Sequence, residues 1–308
     1  MILSVYVPIV LPALAVPVVR WLCGRLPPAL ASWLILTSGL VLVACATLAL
    51  ALLMFAALSL VTVFARLGHW STDALRRLDA VHLPIDLAAS GLLSACVVTT
   101  IVVTARRLGA LVGAHRTARR CRDGGDLTVV VDDRPLAHAL PGRPGRIVVS
   151  TSMLAVLAPA ERRALLAHER AHLARRHHLF VAAVDVLGAA NPLLRPLAGT
   201  IRFTTERWAD EIAARQVGDR AVVARAVGKA ALAGQVRPPG LALAATAGPV
   251  PRRVAALLSA PPVHRLRSLL VSPAGVFTVL VLALVTGSVM FSVDAIDDLH
   301  RTLWLART

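Results

Sequence analysis

Four uncharged, apolar runs constrain this chain more than any other feature of its sequence. None of them contains Asp, Glu, Lys, Arg or His, and each is close to or above the roughly 20 residues that a helix needs to cross about 30 Å of hydrocarbon. The runs are Ile2–Val19, Ala31–Ala65, Leu87–Ala105 and Leu269–Val293. They predict an integral membrane protein with four transmembrane helices.

Two of these runs could be interpreted in another way. The second run is long, but two spans and a turn need roughly 40 residues or more, and no Gly/Pro cluster interrupts it. We therefore predict one long or tilted helix over residues 31–65. The first run could be a secretory signal, yet it lacks a basic segment before it and contains three prolines. We expect a retained span over residues 2–19.

The distribution of charge predicts the orientation in the membrane. Only 16% of the residues are charged, against about 25% in soluble domains, and the formal net charge is +16. Arginines cluster beside the ends of the runs, whereas Asp294, Asp297 and Asp298 follow the last run. This positive-inside pattern predicts a multi-pass protein of the plasma membrane with residues 106–268 in the cytoplasm. It also predicts a short extracytoplasmic tail over residues 294–308, and it explains the positive charge without direct nucleic-acid binding.

The segment between the third and fourth runs has the length of one domain and mixes strand and helix patterns. Residues 106–122 are basic and predict a helix that continues from the third span along the lipid headgroups. The other expected elements are strands over Leu127–Val131 and Arg146–Thr151, a helix from Pro159 to about His178, and a helix from Phe203 to Val217 that stops at Gly218. The expected fold class is a mainly α membrane protein with a cytosolic α+β domain.

Residues 179–197, between the two predicted helices, are apolar enough to resemble a fifth span. Polar residues interrupt the segment, and a crossing here would place the two halves of the motif described next on opposite sides of the membrane. We expect a buried or membrane-resting helical segment.

The pattern most specific for chemistry is His168-Glu169-Arg170-Ala171-His172. On a helix, residues four apart share a face, so both imidazoles can reach one cation while the glutamate between them lies beside the remaining coordination position. A catalytic zinc ion needs a third protein ligand and an open position for water. The pattern therefore predicts a zinc hydrolase with one zinc ion per chain.

Glu206 is the best candidate for the third ligand. Asp210 follows it by one helical turn and could orient a metal-binding histidine through the other ring nitrogen of that histidine. Glu169 is then the expected general base. His138 and His264 are candidate oxyanion stabilisers, with exposed polar residues as the alternative. His177 and His178 are expected at the C-terminal end of the first helix, where the helix dipole favours a cation.

Other classes of site are not supported. The four cysteines show no CxxC spacing, and two of them lie inside the apolar runs, so neither a disulfide framework nor a thiolate zinc site is predicted. No G-x-x-x-x-G-K-[ST] or G-x-G-x-x-G pattern occurs, so nucleotide binding is not predicted.

Three spans, a domain with the two motifs and a fourth span resemble the BlaR/MecR-type membrane metallopeptidases. The motifs that carry the likeness are His168-Glu169-Arg170-Ala171-His172 and Glu206-Arg207-Trp208-Ala209-Asp210, and the related HtpX-type peptidases share them. The segment Ala137–Ser152 is also similar to the HtpX-type stretch before the metal helix. The resemblance implies a zincin-like domain in which His168, His172 and Glu206 bind zinc, Glu169 is catalytic and Asp210 orients a ligand.

Two departures qualify this resemblance. His177 stands where family members commonly have Asp, five residues after the second histidine. BlaR/MecR proteins also carry an extracellular penicillin-binding sensor after the fourth span, whereas only about 15 residues follow Val293 here. We expect no direct β-lactam sensing by this sequence.

Three hypotheses follow. The first is a zinc endopeptidase that cuts a cytosolic or membrane-proximal protein such as a BlaI-like transcriptional repressor. The second keeps the enzyme but makes it a quality-control protease of membrane proteins, as in the HtpX type. The third is a non-catalytic signalling scaffold with a structural zinc ion, for which four protein ligands would be typical. The sequence leaves the substrate, the activating signal, self-cleavage and the oligomeric state open.

Overall fold

The structure is a computed structural model that describes residues 2–77, 82–120, 125–234, 249–260 and 273–307. Four of its helices are long and apolar enough to span a membrane. They are α1 (Ile2–Cys23), α2 (Pro28–Ser59), α5 (Leu83–Arg120) and α12 (Pro273–Leu305). Each of the four uncharged runs lies largely within one of these helices, so the prediction of four apolar helices is confirmed.

The second and fourth helices differ in length from the predicted runs. Helix α2 is a single helix, as expected, but it ends at Ser59, where the indole Nε1 of Trp70 donates a 3.0 Å hydrogen bond to the Ser59 carbonyl. This contact satisfies a carbonyl that a helix end leaves free. The short helices α3 (Thr62–Gly68) and α4 (Thr72–Arg77) follow. Helix α12 continues through the predicted tail to Leu305.

Helix α5 continues far beyond the third apolar run. Its 38 residues correspond to about 57 Å, nearly twice the thickness of the hydrocarbon core. The predicted helical continuation of the third span is confirmed as far as Arg120.

A small sheet lies next to the metal-binding motif. The strands are β1 (Leu127–Val130), β2 (Ala137–Leu140) and β3 (Arg146–Ser150), in the order β1-β3-β2. Strand β1 pairs with β3 in parallel, and β2 pairs with β3 antiparallel. Two of the strands were predicted, whereas β2 lies between them, where no strand was predicted. As an edge strand, β2 pairs with no other strand on one side among the described residues.

Six helices complete the described part of the domain. They are α6 (Thr151–Val156), α7 (Pro159–Ala174), α8 (His177–Ala190), α9 (Leu197–Val217), α10 (Arg220–Gly234) and α11 (Pro249–Leu258). The predicted helix end at Gly218 is confirmed, because this glycine adopts a left-handed φ of 79°. Helix α9 begins six residues before the predicted Phe203.

Helix α8 and the start of α9 form a helical hairpin that inserts between the four long helices. A 3₁₀ turn over Pro192–Leu194 connects the two helices. The Thr99 hydroxyl, inside the third apolar run, donates a 3.0 Å hydrogen bond to the Ala189 carbonyl. Apolar side chains of the hairpin share one core with α1, α2 and α12: Val16, Val19, Leu22, Ile35, Phe180, Val184, Leu194, Leu197, Ile201 and Val281. The segment 179–197 was expected to be helical and either buried or resting on the membrane; its helical character is confirmed, and part of it is buried.

Candidate metal centre and active site

Helix α7 presents both histidines of the motif on the face that packs against α9. The Nε2 atoms of His168 and His172 lie 3.0 Å apart. His168 is buried, and His172 is partly exposed towards a cavity. One turn of helix therefore brings two imidazole nitrogens to one point, as the spacing predicted.

Helix α9 brings Glu206 to the same point. Its Oε2 lies 3.4 Å from His168 Nε2, and its Oε1 lies 3.4 Å from His172 Nε2. The ligand atoms of the three residues all lie within 4.8 Å of one another. Four ligands around a tetrahedral zinc ion, with bonds of about 2.0–2.1 Å, are about 3.3 Å apart. The two imidazoles and the carboxylate therefore fit a zinc ion in both chemistry and spacing.

Asp210 lies behind His168, one turn after Glu206. Its Oδ1 is 3.0 Å from His168 Nδ1, and its carboxylate is almost completely buried. Burial alone would lower the pKa of His168, but the carboxylates of Asp210 and Glu206 outweigh it and raise that pKa to about 10. For Glu206 the balance favours the ionised form, because His168, His172 and Arg253 lower its pKa against the effect of burial. The site is thus built to hold positive charge between its carboxylates.

Arg253 on α11 is a member of this site that sequence reasoning missed. Its guanidinium donates to both oxygens of Asp210, at 2.8 and 2.7 Å, and its Nη1 lies 2.7 Å from Glu206 Oε2. A planar guanidinium suits this bidentate contact. In the sequence, Arg253 is one of many membrane-flanking arginines, and no local spacing connects it with the motif. The sequence indicates only that the carboxylates of Glu206 and Asp210, one turn apart, need a positively charged partner.

Glu169 is buried and borders the same cavity as His168, His172 and Glu206. Burial, together with the charge of Glu206, raises its pKa, while His168, the backbone of Ala139 and Arg253 partly offset the shift. Ala139 belongs to the edge strand β2 and provides a backbone hydrogen bond to the carboxylate. A carboxylate with a raised pKa accepts a proton more readily near neutral pH, as a general base requires.

His177 is not where the sequence predicted it. Helix α7 ends at Ala174, Arg176 adopts a left-handed φ of 53°, and His177 is the first residue of α8. The dipole argument for His177 and His178 was therefore wrong, since a helix N terminus disfavours a cation. Instead, His177 points back into the site, and its Nδ1 lies 3.0 Å from Nδ1 of His172.

The two candidate oxyanion stabilisers have different outcomes. His138 is exposed on β2 and lines the same cavity as His168, Glu169 and Glu206. This position is compatible with stabilisation of the oxyanion, and that role stays a prediction. His264 lies outside the described residues.

Two cavities meet at the triad and both adjoin β2. One has a volume of about 590 Å³ and is bordered by Arg107 and Leu111 of α5 and by Arg202 of α9. The other has a volume of about 390 Å³ and is lined mainly by small apolar side chains of α7 and α10. Asp185 on α8 bridges Arg107 and Arg202, so an ion-pair cluster connects the third span with the helix that carries Glu206.

The comparisons with known proteins agree with this geometry. Residues 114–194, about a quarter of the chain, match the family model of peptidase family M48. The matched segment includes α7 with its two histidines and ends before α9, so Glu206 lies beyond it. No curated protein and no solved structure matches the chain. The match supports a metallopeptidase and does not distinguish the BlaR/MecR type from the HtpX type.

Proposed function

We propose that this chain is a membrane-bound, zinc-dependent endopeptidase. The observation that carries the proposal is the convergence of His168, His172 and Glu206, with the carboxylate of Glu169 beside them. Three protein ligands leave a coordination position open for water, which is typical of catalytic rather than structural zinc sites. This argues against the scaffold hypothesis, because the described residues offer a triad at this point and not four ligands.

The residues of the chain have separable roles in this reaction. His168, His172 and Glu206 would hold the zinc ion, which supplies Lewis-acid polarisation of the peptide carbonyl and acidifies water. Glu169 takes a proton from the attacking water onto a carboxylate oxygen and passes it to the leaving amine. The open side of β2 can pair with an extended substrate backbone and hold the peptide bond next to Glu169.

We further propose that the site faces the cytoplasm and acts close to the membrane surface. The arginine distribution supports the orientation, and the hydrogen bond between Ser32 and Thr204 supports the position. Ser32 is the second residue of the second uncharged run, and Thr204 precedes Glu206 by two residues. A repressor of the BlaI type is the substrate that the family resemblance suggests, whereas the closeness of the site to the span helices favours a membrane protein.

The first experiment measures metal content and hydrolysis together. The full chain is purified in detergent beside the variants His168→Ala, Glu206→Ala and Glu169→Gln. We expect about one zinc ion per wild-type chain, loss of zinc in both alanine variants, and full zinc content in Glu169→Gln without hydrolysis of denatured casein. Arg170→Gln is the matched control, because Arg170 belongs to the motif but, within the described residues, its ion pair is an exposed one with Asp126.

Either of two results would contradict the proposal. Hydrolysis by Glu169→Gln at the wild-type rate would exclude the mechanism, and zinc retained without His168 and Glu206 would exclude the site. If the mechanism holds, comparison of the proteomes of cells with wild-type and Glu169→Gln protein separates the two substrate classes. One accumulating repressor supports signalling, and many accumulating membrane proteins support quality control.

A further inference from the structure

His177 is a buried polar side chain in contact with the candidate metal ligand His172, and the proposed mechanism does not use it. Its side chain is only 1% exposed, although it lies at the first position of a helix. The ring lies 4.9 Å from the ring of Trp208, which follows Glu206 by two residues on α9. It is also perpendicular to the ring of His172, with the two centroids 4.8 Å apart. Aromatic neighbours thus fix the orientation of the imidazole.

The contact between His172 and His177 determines where His172 carries its proton. The two Nδ1 atoms are 3.0 Å apart, so one of them must donate and the other must accept. A metal-binding histidine is neutral and keeps the lone pair of the coordinating nitrogen free. In His172 the coordinating nitrogen is Nε2, which faces His168 and Glu206. The proton of His172 must therefore be on Nδ1, and Nδ1 of His177 accepts the hydrogen bond.

The other nitrogen of His177 has no part in this contact. Its proton is then on Nε2, which is buried and has no hydrogen-bond partner among the described residues. A buried donor without an acceptor is unfavourable, so His177 contributes nothing through this atom. The polar contribution of the side chain is the acceptor that it offers to His172.

We infer that His177 is a positioning residue that fixes the tautomer and ring orientation of His172 for metal binding. The two metal histidines are then supported differently, His168 by the carboxylate of Asp210 and His172 by a neutral imidazole. A partner on the outer nitrogen of a metal-binding histidine typically changes metal affinity by 10- to 100-fold. This inference rests on the proposed metal centre.

The test compares variants that keep or remove the acceptor. His177→Asn places an amide oxygen near the position of Nδ1, whereas His177→Phe keeps a ring against Trp208 but removes the acceptor. The adjacent and partly exposed His178 provides the control variant His178→Phe. Zinc affinity of the full chain in detergent is measured by competition with a chromophoric chelator, and thermal unfolding of the metal-free proteins shows whether each variant folds.

We expect His177→Phe to bind zinc about 10- to 100-fold more weakly, and His177→Asn and His178→Phe to stay within a few-fold of the wild type. Wild-type affinity in a folded His177→Phe protein would refute the positioning role. Equal losses in the Asn and Phe variants would also refute it, because they would indicate packing alone. If Phe prevents folding, His177→Leu replaces it. A wild-type chain that takes up no zinc would instead refute the proposed metal centre.

Discussion

Ser32 and Thr204 lie 3.0 Å apart, with their hydroxyl groups hydrogen-bonded in a completely buried contact. Ser32 belongs to α2, the second candidate span, and Thr204 to α9, the helix that carries Glu206 and Asp210. The candidate metal centre is therefore not on a separate domain attached to the membrane bundle. One of its two helices packs directly on a candidate span, and we therefore expect a change in the packing of the bundle to affect the ligands.

Substitution at Gly39 tests this connection. A Cβ atom at Gly39 of α2 would lie 3.0 Å from Cδ1 of Leu187, at the inserted part of α8. We expect Gly39→Leu to push the α8–α9 hairpin away from α2, to lower the stability of the protein by about 1–3 kcal/mol and to weaken zinc binding. Thermal unfolding and chelator competition in detergent measure the two effects.

The matched control is Gly91→Leu on α5, another glycine in an apolar run. A Cβ at Gly91 meets no atom within 4 Å, so we expect its effect to be within about 0.5 kcal/mol. Equal behaviour of the two leucine variants would show that close packing between α2 and α8 does not support the metal centre.

The sequence predicted those features that a single element determines. Hydrophobic runs depend on local composition, and His168, Glu169 and His172 share one helix, so their relation follows from the helical repeat. Glu206 and Asp210 were found in the same way, as a pair one turn apart. The structure brings these two helices together at the expected point, and their roles as ligand and orienting residue stay predictions.

What the sequence did not predict depends on contacts between distant elements. Arg253 and Asp210 are in contact although they are 43 positions apart in the chain. The helical and strand repeats relate only residues that are a few positions apart. His177 was assigned to the wrong helix because Arg176 adopts a left-handed conformation between the two helices. Sequence patterns place a helix end at Gly or Asn, which favour this conformation, and not at Arg. Helix α2 ends at Ser59 inside an apolar run, where Trp70 of the next segment donates a hydrogen bond to the Ser59 carbonyl.

Removal of Arg253 should damage both the fold and the metal centre. The Arg253→Gln variant leaves the buried carboxylate of Asp210 without its bidentate partner, a change that typically costs about 3–5 kcal/mol. Zinc affinity should fall about 10- to 100-fold, because Glu206 and Asp210 are no longer held in place. Thermal unfolding and zinc titration measure these losses.

The neighbouring Arg252 provides the control for this variant. It is exposed and lies over the ring of Phe203, 4.3 Å from the ring centre. Arg252→Gln should therefore change neither the thermal stability nor the zinc affinity by much. Tighter zinc binding by Arg253→Gln would contradict our expectation. It would mean that the guanidinium competes with the metal for Glu206.

The start of α7 should show an acid-dependent stability. The Glu161 carboxylate accepts hydrogen bonds from the Ala158 backbone, at 2.9 Å, and from Lys229, at 2.8 Å. Lys229 and the Ala158 backbone, with Arg225, hold the pKa of Glu161 below its usual value against the effect of burial. A lowered folded-state pKa stabilises the protein above the unfolded pKa of about 4.3, and this stability is lost as the pH falls through the folded-state value.

Glu161→Gln should therefore lower the melting temperature at pH 7, by an amount that corresponds to about 1.5–3 kcal/mol for a charge-assisted contact. Because the wild type loses the same contribution in acid, the two melting curves should begin to converge below the unfolded pKa of about 4.3 and should meet below the folded-state pKa of Glu161. A constant difference from pH 7 to pH 3.5 would show that the stabilisation does not come from the ionised carboxylate.

The orientation of the catalytic helix can be decided by cysteine labelling. Asp73 on α4 and Arg163 on α7 are both exposed and lie on opposite sides of the bundle in the proposed topology. In a Cys121→Ser background, the other three native cysteines are buried. A membrane-impermeant maleimide should label Asp73→Cys in intact cells, whereas Arg163→Cys should react only after permeabilisation. We expect this result because arginines are in excess beside those ends of the candidate spans that adjoin the domain with the metal-binding motif, which predicts that this domain is cytoplasmic. Labelling of Arg163→Cys alone in intact cells would reverse the topology, place the site outside the cytoplasm and exclude an intracellular repressor as substrate.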